Sequence, residues 1–284
     1  MLSRIRTYGS FIRFSHTVFA LPFALSGALL AAGASSLAWG RMGWIVLAMA
    51  AARTAAMGFN RIVDARYDAQ NPRTASRELP TGAITMREAV ALVVISSAAF
   101  IAVTWILGPL CFALSPVALG IVFWYSLAKR FTAYTQIFLG LALAVAPVGG
   151  WLGAGGTWGW PPWLLALGTG LWVAGFDILY ACEDIEIDRV QGLKSIPSRF
   201  GVAASILISR IFHVIAVVSL AAVSVVMPLG PLYLAGVVGV GALLVYEQSM
   251  VRSDDLSRVK QAFDLNGWVG ILYLMTTAGS LYVG

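Results

Sequence analysis

Three polar residues, Asn60, Asp64 and Asp68, recur at four-residue steps at the end of an apolar stretch of the sequence. On an α-helix, steps of four place side chains on one face over two turns, so the three groups would form one stripe. Carboxylates grouped in this way repel one another and need a compensating cation. Mg²⁺, which prefers hard oxygen ligands, meets that need, and the spacing therefore predicts half of a metal site.

A second acidic stripe follows in the later half of the chain, where Asp177, Tyr180, Asp184 and Asp188 are separated by steps of three, four and four. Two such stripes facing each other would bring four or five carboxylates to one place, with Tyr180 positioned to orient a carboxylate or a phosphate. Acidic residues at helix ends are often only solvated, and for one stripe alone that alternative would be equally good. Two stripes with similar following loops favour a functional site, whose catalytic residues we predict to be Asp64, Asp68, Asp184, Asp188 and Tyr180.

Basic residues accompany both stripes, and their chemistry suits a multiply charged oxyanion. Acidic side chains that can bind a metal ion, basic side chains that can bind phosphate and an apolar chamber behind them together indicate a site for a lipid diphosphate. The predicted phosphate contacts are Arg73, Arg77, Lys129, Arg130, Lys194 and Arg199.

Arg53 lies seven residues before Asn60, on the same predicted helix face but deeper in the apolar segment. A charged side chain at mid-span costs about 2.5 kcal/mol or more, so Arg53 needs an anionic partner. Two partners fit: the carboxylate of Asp177, or the acid group of an aromatic carboxylate substrate. Asp177 is alternatively placed to take a proton from that substrate.

The segments that must position these residues are membrane spans. The chain has 284 residues, of which 59% are hydrophobic and only 11% charged, less than half the charged fraction of a soluble domain. We therefore predict an all-α, polytopic membrane protein that forms a single domain over residues 1–284, with nine transmembrane helices around a central cavity. The predicted spans are 14–33, 43–63, 87–107, 110–128, 134–154, 162–183, 203–227, 231–250 and 265–283.

The distribution of Lys and Arg predicts the orientation of these spans. Arg4, Arg6 and Arg13 precede the first span, alternate loops carry most other basic residues, and the opposite side has Arg41 alone. By the positive-inside rule the N-terminus is cytoplasmic, the C-terminus is outside and the acidic stripes face the cytoplasm. We expect a multi-pass protein of a bacterial inner membrane. This bias accounts for the net charge of +6 without a nucleic-acid partner.

The two acidic motifs, with "NPRTASRELPTG" after the first and "SIPSRFG" after the second, resemble the UbiA-type intramembrane aromatic prenyltransferases. "YSLAKRFT" after the fourth span and "HTVFALPFALSGALLA" in the first extend the resemblance to nearly the whole chain. The loops are most similar to the 4-hydroxybenzoate polyprenyltransferase branch, including its relatives in menaquinone biosynthesis by the futalosine route.

The resemblance implies that two Mg²⁺ ions grip the diphosphate of an allylic polyprenyl substrate, held by Asn60, Asp64, Asp68, Asp184 and Asp188. It also implies transfer of the prenyl group to an aromatic acid, 4-hydroxybenzoate or a hydroxynaphthoate, in quinone biosynthesis. The two acid-rich helix ends, each followed by a loop with basic residues, Pro and Gly, lie four spans apart and form a weak parallel repeat. A second hypothesis, a secondary transporter of an anionic metabolite, fits this repeat and the buried Arg53. The concentration of charge at one face and the absence of a mid-span acid pair argue against a transporter.

Overall fold

The computed structural model describes residues 2–12, 19–33 and 38–283. Within these ranges the chain forms α-helices joined by short connections and no β-strand, in agreement with the predicted all-α class. The helices are α1 (Leu2–Phe11), α2 (Leu21–Ala32), α3 (Trp39–Gln70), α4 (Met86–Leu107), α5 (Pro109–Ala128), α6 (Thr135–Gly153), α7 (Trp160–Ala181), α8 (Ile185–Val190), α9 (Ile196–Val226), α10 (Pro231–Met250) and α11 (Val259–Val283).

Seven of the described helices, α3 to α7, α9 and α10, are long and apolar enough to cross a membrane. The first predicted span appears as the shorter apolar helix α2, and the ninth as α11, which is not among the seven. Residues 13–18, which hold Arg13 and the beginning of the first predicted span, lie outside the described residues. The count of nine spans, the central cavity and the orientation of the termini therefore stay predictions.

Local sequence explains several helix boundaries. Thr85 and Glu88 form a reciprocal capping box that starts α4, and Ser195 and Ser198 do the same for α9. Gly108 separates α4 from α5 with φ of 138°, a conformation that residues with a side chain rarely adopt. That glycine makes the tight hairpin predicted between the third and fourth spans.

The long helices pack mainly against their neighbours in sequence, and α11 closes the bundle by packing against α2 as well as α10. Close helix contact requires glycine at the crossing of α2 and α6. A Cβ atom at Gly27 would lie 2.2 Å from the carbonyl oxygen of Pro147, and one at Gly150 would lie 1.9 Å from that of Ala24. These glycines let the two backbones touch, as small residues do in membrane helix pairs.

Arg41 has a structural role at the end of the bundle where α3 begins. Its guanidinium donates hydrogen bonds to the carbonyl oxygens of Leu107 and Gly153, the last residues of α4 and α6. Helix C-termini leave carbonyl groups without intrahelical partners, and a cation there also complements the helix dipole. Arg41 thus fixes the ends of two spans.

The opposite end of the bundle, here called the charged end, is made of the connections at 71–85, 129–134, 182–195 and 251–258. α3 extends seven residues beyond the predicted end of the second span, so Asn60, Asp64 and Asp68 all lie on one helix that leads into this end. The second acidic cluster reaches the same end through α7.

Candidate active site

Asp64 is the best-paired carboxylate of the charged end. It is only 4% exposed, and Lys129 Nζ lies 2.7 Å from its Oδ2 while Arg130 Nη2 lies 3.0 Å from its Oδ1. The Asn60 amide also donates to Oδ2, across 3.4 Å. Lys129 and Arg130 come from the end of α5, so the first acidic motif is joined to the "YSLAKRFT" segment.

Asp68, one turn further along α3, is held by the connection that follows the same helix. Arg77 Nη1 donates to both of its oxygens, at 2.7 and 2.8 Å. Thr74 binds the backbone carbonyl of Asp68 at 3.0 Å and reinforces the turn. The "RTASRELPTG" segment therefore folds back over the end of the acidic stripe.

Arg73 connects the two acidic clusters. Its guanidinium contacts Asp184 Oδ2 at 2.5 Å and Glu183 Oε2 at 3.3 Å, and it lies 5.5 Å from the centre of the Tyr180 ring. Because Arg73 follows α3 while its three partners lie around the end of α7, the clusters meet at the charged end. The parallel repeat seen in the sequence is consistent with this meeting.

The second cluster does not lie on one continuous α-helix, as its spacing suggested. α7 ends at Ala181, and Cys182–Asp184 forms a 3₁₀ turn before α8, which carries Asp188. A 3₁₀ turn has about three residues per turn, so it changes the direction in which Asp184 points. Asp188 accepts a hydrogen bond from Ser195 Oγ at 2.9 Å and interacts electrostatically with Asp184, Lys129 and Arg73.

Deeper in the bundle, Tyr125 links the predicted acceptor-side residues. Its phenol interacts electrostatically with Arg53, Asp64 and Asp177. Asp177 is half-buried and forms no ion pair among the described residues. The first predicted partner of Arg53, the Asp177 carboxylate, is therefore not found in an ion pair with it.

The predicted phosphate contacts divide into two groups. Arg73, Arg77, Lys129 and Arg130 all contact carboxylates of the acidic clusters. Lys194 and Arg199 do not, and instead line a separate cleft with Arg189. The two groups are nevertheless adjacent, since the backbone amide of Lys194 donates to the carbonyl oxygen of Lys129 at 2.8 Å.

Sequence reasoning missed several residues that complete the site. Glu183 shares Arg73 with Asp184, and Ser195 binds Asp188. Tyr67 lies under Lys129 and Arg130, whose charges are 6.0 and 5.3 Å from its ring centre, and its carbonyl oxygen accepts a bond from Gln191. Tyr67 lies one position before Asp68, outside the four-residue stripe, so only the cation–π partners across the fold reveal it.

The donor chemistry of the site fits Mg²⁺. The candidate ligands are carboxylate and amide oxygens, and across the described residues no three Asp, Glu, His or Cys side chains converge to hold one ion. Mg²⁺ is usually held by one or two carboxylates together with substrate phosphates, so it does not need a closed protein cage. The basic side chains that contact these carboxylates show how strongly the cluster attracts positive charge.

The structure thus combines apolar helices with a cluster of paired acidic and basic side chains at one end of the bundle. The family model of the UbiA prenyltransferase family matches residues 20–271, and the chain belongs to this family of prenyltransferases. The enzyme hypothesis is thereby confirmed in preference to the transporter.

The similarity to two curated relatives extends over most of the chain. The 4-hydroxybenzoate octaprenyltransferase of Vibrio campbellii is 28% identical over 270 residues, which cover 95% of this chain and 92% of the relative. The protein of the same name from Aromatoleum aromaticum is 33% identical over 221 residues, covering 77% of this chain and 74% of the relative.

Solved structures show the same fold. The apo structure of a UbiA homologue from Aeropyrum pernix K1 is 35% identical and superposes with a TM-score of 0.84 over 92% of this chain and 96% of that one. A UbiA homologue from Archaeoglobus fulgidus, solved with GPP and Mg²⁺, is 21% identical with a TM-score of 0.72, covering 96% and 99% of the two chains.

Proposed function

We propose that the protein transfers a prenyl group from an allylic polyprenyl diphosphate to an aromatic acid, 4-hydroxybenzoate or a hydroxynaphthoate, in a Mg²⁺-dependent reaction of ubiquinone or menaquinone biosynthesis. The observation that carries the proposal is that both acidic clusters are ion-paired at the same end of the bundle: Asp64 and Asp68 with Lys129, Arg130 and Arg77, and Asp184 with Arg73 from the connection that follows the first cluster. The names of the octaprenyltransferase relatives support the donor and acceptor classes.

The donor side of the mechanism concerns charge on the leaving diphosphate. Asn60, Asp64, Asp68, Asp184 and Asp188 are the proposed metal ligands, and a bound Mg²⁺ would supply Lewis-acid stabilisation of the leaving group. Arg73, Arg77, Lys129 and Arg130 exchange carboxylate oxygens for diphosphate oxygens when the substrate arrives, and they donate charge-assisted hydrogen bonds to it. The allylic C–O bond then breaks, its electron pair going to the diphosphate.

We assign binding of the aromatic acceptor to the residues deeper in the bundle. Arg53 binds the carboxylate of the aromatic acid, and Tyr125 and Asp177 line the same region. The electron-rich ring attacks the allylic carbon, and the substituted ring carbon then gives its proton to the carboxylate of Asp177. Tyr180, under Arg73, orients that guanidinium toward the diphosphate.

The full-length protein, purified with Mg²⁺, tests the proposal when it is incubated with prenyl diphosphates of several lengths and with 4-hydroxybenzoate or a dihydroxynaphthoate. The expected product has the mass of the acceptor plus the prenyl group minus one hydrogen, and EDTA abolishes its formation until Mg²⁺ is restored. Prenylation undiminished by EDTA contradicts the metal assignment, and prenylation only of non-aromatic alcohols contradicts the acceptor assignment.

A further inference from the structure

A basic cleft lies beside the acidic site at the charged end of the bundle. Its volume is about 390 Å³, and it lies between the connection that follows α5 and the segment from α8 to the start of α9. The residues that line it are Phe131, Thr132, Ala133, Arg189, Leu193, Lys194, Ser198 and Arg199.

The three cations of this cleft differ from those of the acidic site. Arg189, Lys194 and Arg199 form no ion pair with any described carboxylate, and no acidic residue lines the cleft. Lys194 Nζ has only a 3.3 Å bond to the carbonyl oxygen of Phe131, and Arg189 a 3.5 Å contact with that of Ser198. Three positive charges grouped without acidic partners favour an anion between them.

The two walls of the cleft are held at a fixed separation. The Lys194 amide donates to the Lys129 carbonyl at 2.8 Å, Thr135 Oγ1 donates to the Lys194 carbonyl at 2.9 Å, and the Ile196 amide donates to Gln136 at 3.2 Å. Leu193 and Ala133 are buried at its base. The cleft is therefore built into the fold and does not depend on flexible side chains alone.

The surroundings of the cleft indicate a lipid. Phe131, which lines the cleft, is 46% exposed, and the nearby Tyr134 and Phe200 are 45% and 42% exposed. The Arg199 guanidinium lies 5.2 Å from the centre of the Phe200 ring, which packs 6.3 Å from that of Tyr134. Exposed aromatic residues at the end of transmembrane helices lie at the depth of lipid headgroups. Basic pockets at that depth bind anionic headgroups.

We propose that this cleft binds the phosphate of an anionic membrane phospholipid, with the acyl chains passing over Phe131, Tyr134 and Phe200. The inference goes beyond prenyl transfer and holds whatever the acceptor is. It assigns Lys194 and Arg199 to a lipid phosphate in place of the diphosphate contact that their sequence positions predict.

Native mass spectrometry of the full-length protein in detergent tests the proposal, with phosphatidylglycerol as the probe and phosphatidylcholine as the neutral comparison. We expect the triple variant Arg189→Gln/Lys194→Gln/Arg199→Gln to lose about tenfold or more of its phosphatidylglycerol binding, since it lacks all three cations that would contact the headgroup. The matched control, Arg252→Gln/Arg258→Gln/Lys260→Gln, removes the same charge from exposed positions in the connection between α10 and α11 and in the first turn of α11, and keeps the binding.

A charge-preserving variant, Arg189→Lys/Arg199→Lys, separates binding from folding, because it is expected to retain most of the phosphatidylglycerol binding. Unchanged binding in the triple variant, or equal binding of phosphatidylcholine, overturns the proposal. Displacement of the lipid by inorganic pyrophosphate also overturns it, because the cleft would then be a site for a soluble phosphate. So does a triple variant with a raised KM for prenyl diphosphate and intact lipid binding, because the cleft would then bind the substrate.

Discussion

The carboxylate of Asp64 combines burial with full ionic pairing, since each oxygen has its own cation from the end of α5. A buried charge of this kind needs a compensating partner. Here the partners are Lys129 and Arg130, cations that could equally bind a diphosphate. In the proposed function Asp64 therefore has both a structural and a catalytic role.

Substitution Asp64→Asn removes the charge while keeping the shape of the side chain. We expect kcat to fall by about 100-fold or more, the size of effect seen when one preorganised electrostatic group is removed. Product formation measured by mass at saturating Mg²⁺ is the readout. Asp254→Asn is the matched control, since Asp254 pairs with Arg252 on an exposed connection and its loss should leave turnover unchanged; equal turnover in both variants would exclude Asp64 from the chemistry.

Arg53 gives a prediction about the acceptor. If it binds the acceptor carboxylate, Arg53→Gln should raise the KM for 4-hydroxybenzoate by about 10- to 100-fold, because a hydrogen bond to a charged group contributes about 1.5–3 kcal/mol. The KM for prenyl diphosphate should not change. Phenol, which lacks the carboxylate, should be used equally by both proteins, and Arg210→Gln in α9 controls for loss of an arginine within a span. A selective rise in the KM of the diphosphate would refute this role.

At the scale of elements, the crossing of α2 and α6 depends on glycine. Gly150→Ala should lower the free energy of unfolding by about 1–3 kcal/mol, because the added methyl group meets the Ala24 carbonyl and forces the helices apart. A methyl group added at the neighbouring Gly149 would meet no atom within 4 Å, so Gly149→Ala is the control and should leave thermal stability equal or higher. The measurement is the thermal unfolding of both variants in the same detergent, and equal stability would disprove the close contact.

The sequence was most informative about elements where apolar length and charge agree. The hairpin at Gly108 lies between the third and fourth predicted spans, and α4 begins one residue before the predicted start of the third span. It was less informative where tertiary contacts decide the outcome. The helix breaks at Cys182–Asp184 although the acidic residues around it keep a regular helical spacing. Hydropathy gave no sign that α3 continues to Gln70, because that stretch is charged and its stabilising partners come from outside the helix.

The sequence could predict that Arg73, Arg77, Lys129 and Arg130 lie near the acidic clusters, because each of them closely follows the polar end of a predicted span. The pairing of Arg73 with Glu183 and the separation of Lys194 and Arg199 into another cleft could not be predicted, since both depend on how two distant connections meet. Contacts between connections that are distant in the chain produce no periodic pattern in the sequence.

At the scale of the whole molecule, the predicted orientation can be measured directly. In a background with Cys111→Ser and Cys182→Ser, Thr157→Cys tests the end near Arg41 and Ser253→Cys tests the charged end; both positions are exposed. An impermeant maleimide added to intact bacterial cells should label the protein carrying Thr157→Cys only, and should label Ser253→Cys after the cells are broken. The reverse pattern would place the acidic site outside.

Arg41 stands apart from the other charges of the molecule. Its positive charge is hydrogen-bonded to two helix ends, whereas the charged end holds both acidic clusters and the basic residues that pair with them. In the predicted orientation, a resting potential that is negative on the cytoplasmic side would act on each net positive charge of the charged end with about 2.3 kcal/mol per 100 mV, and would thereby favour that orientation.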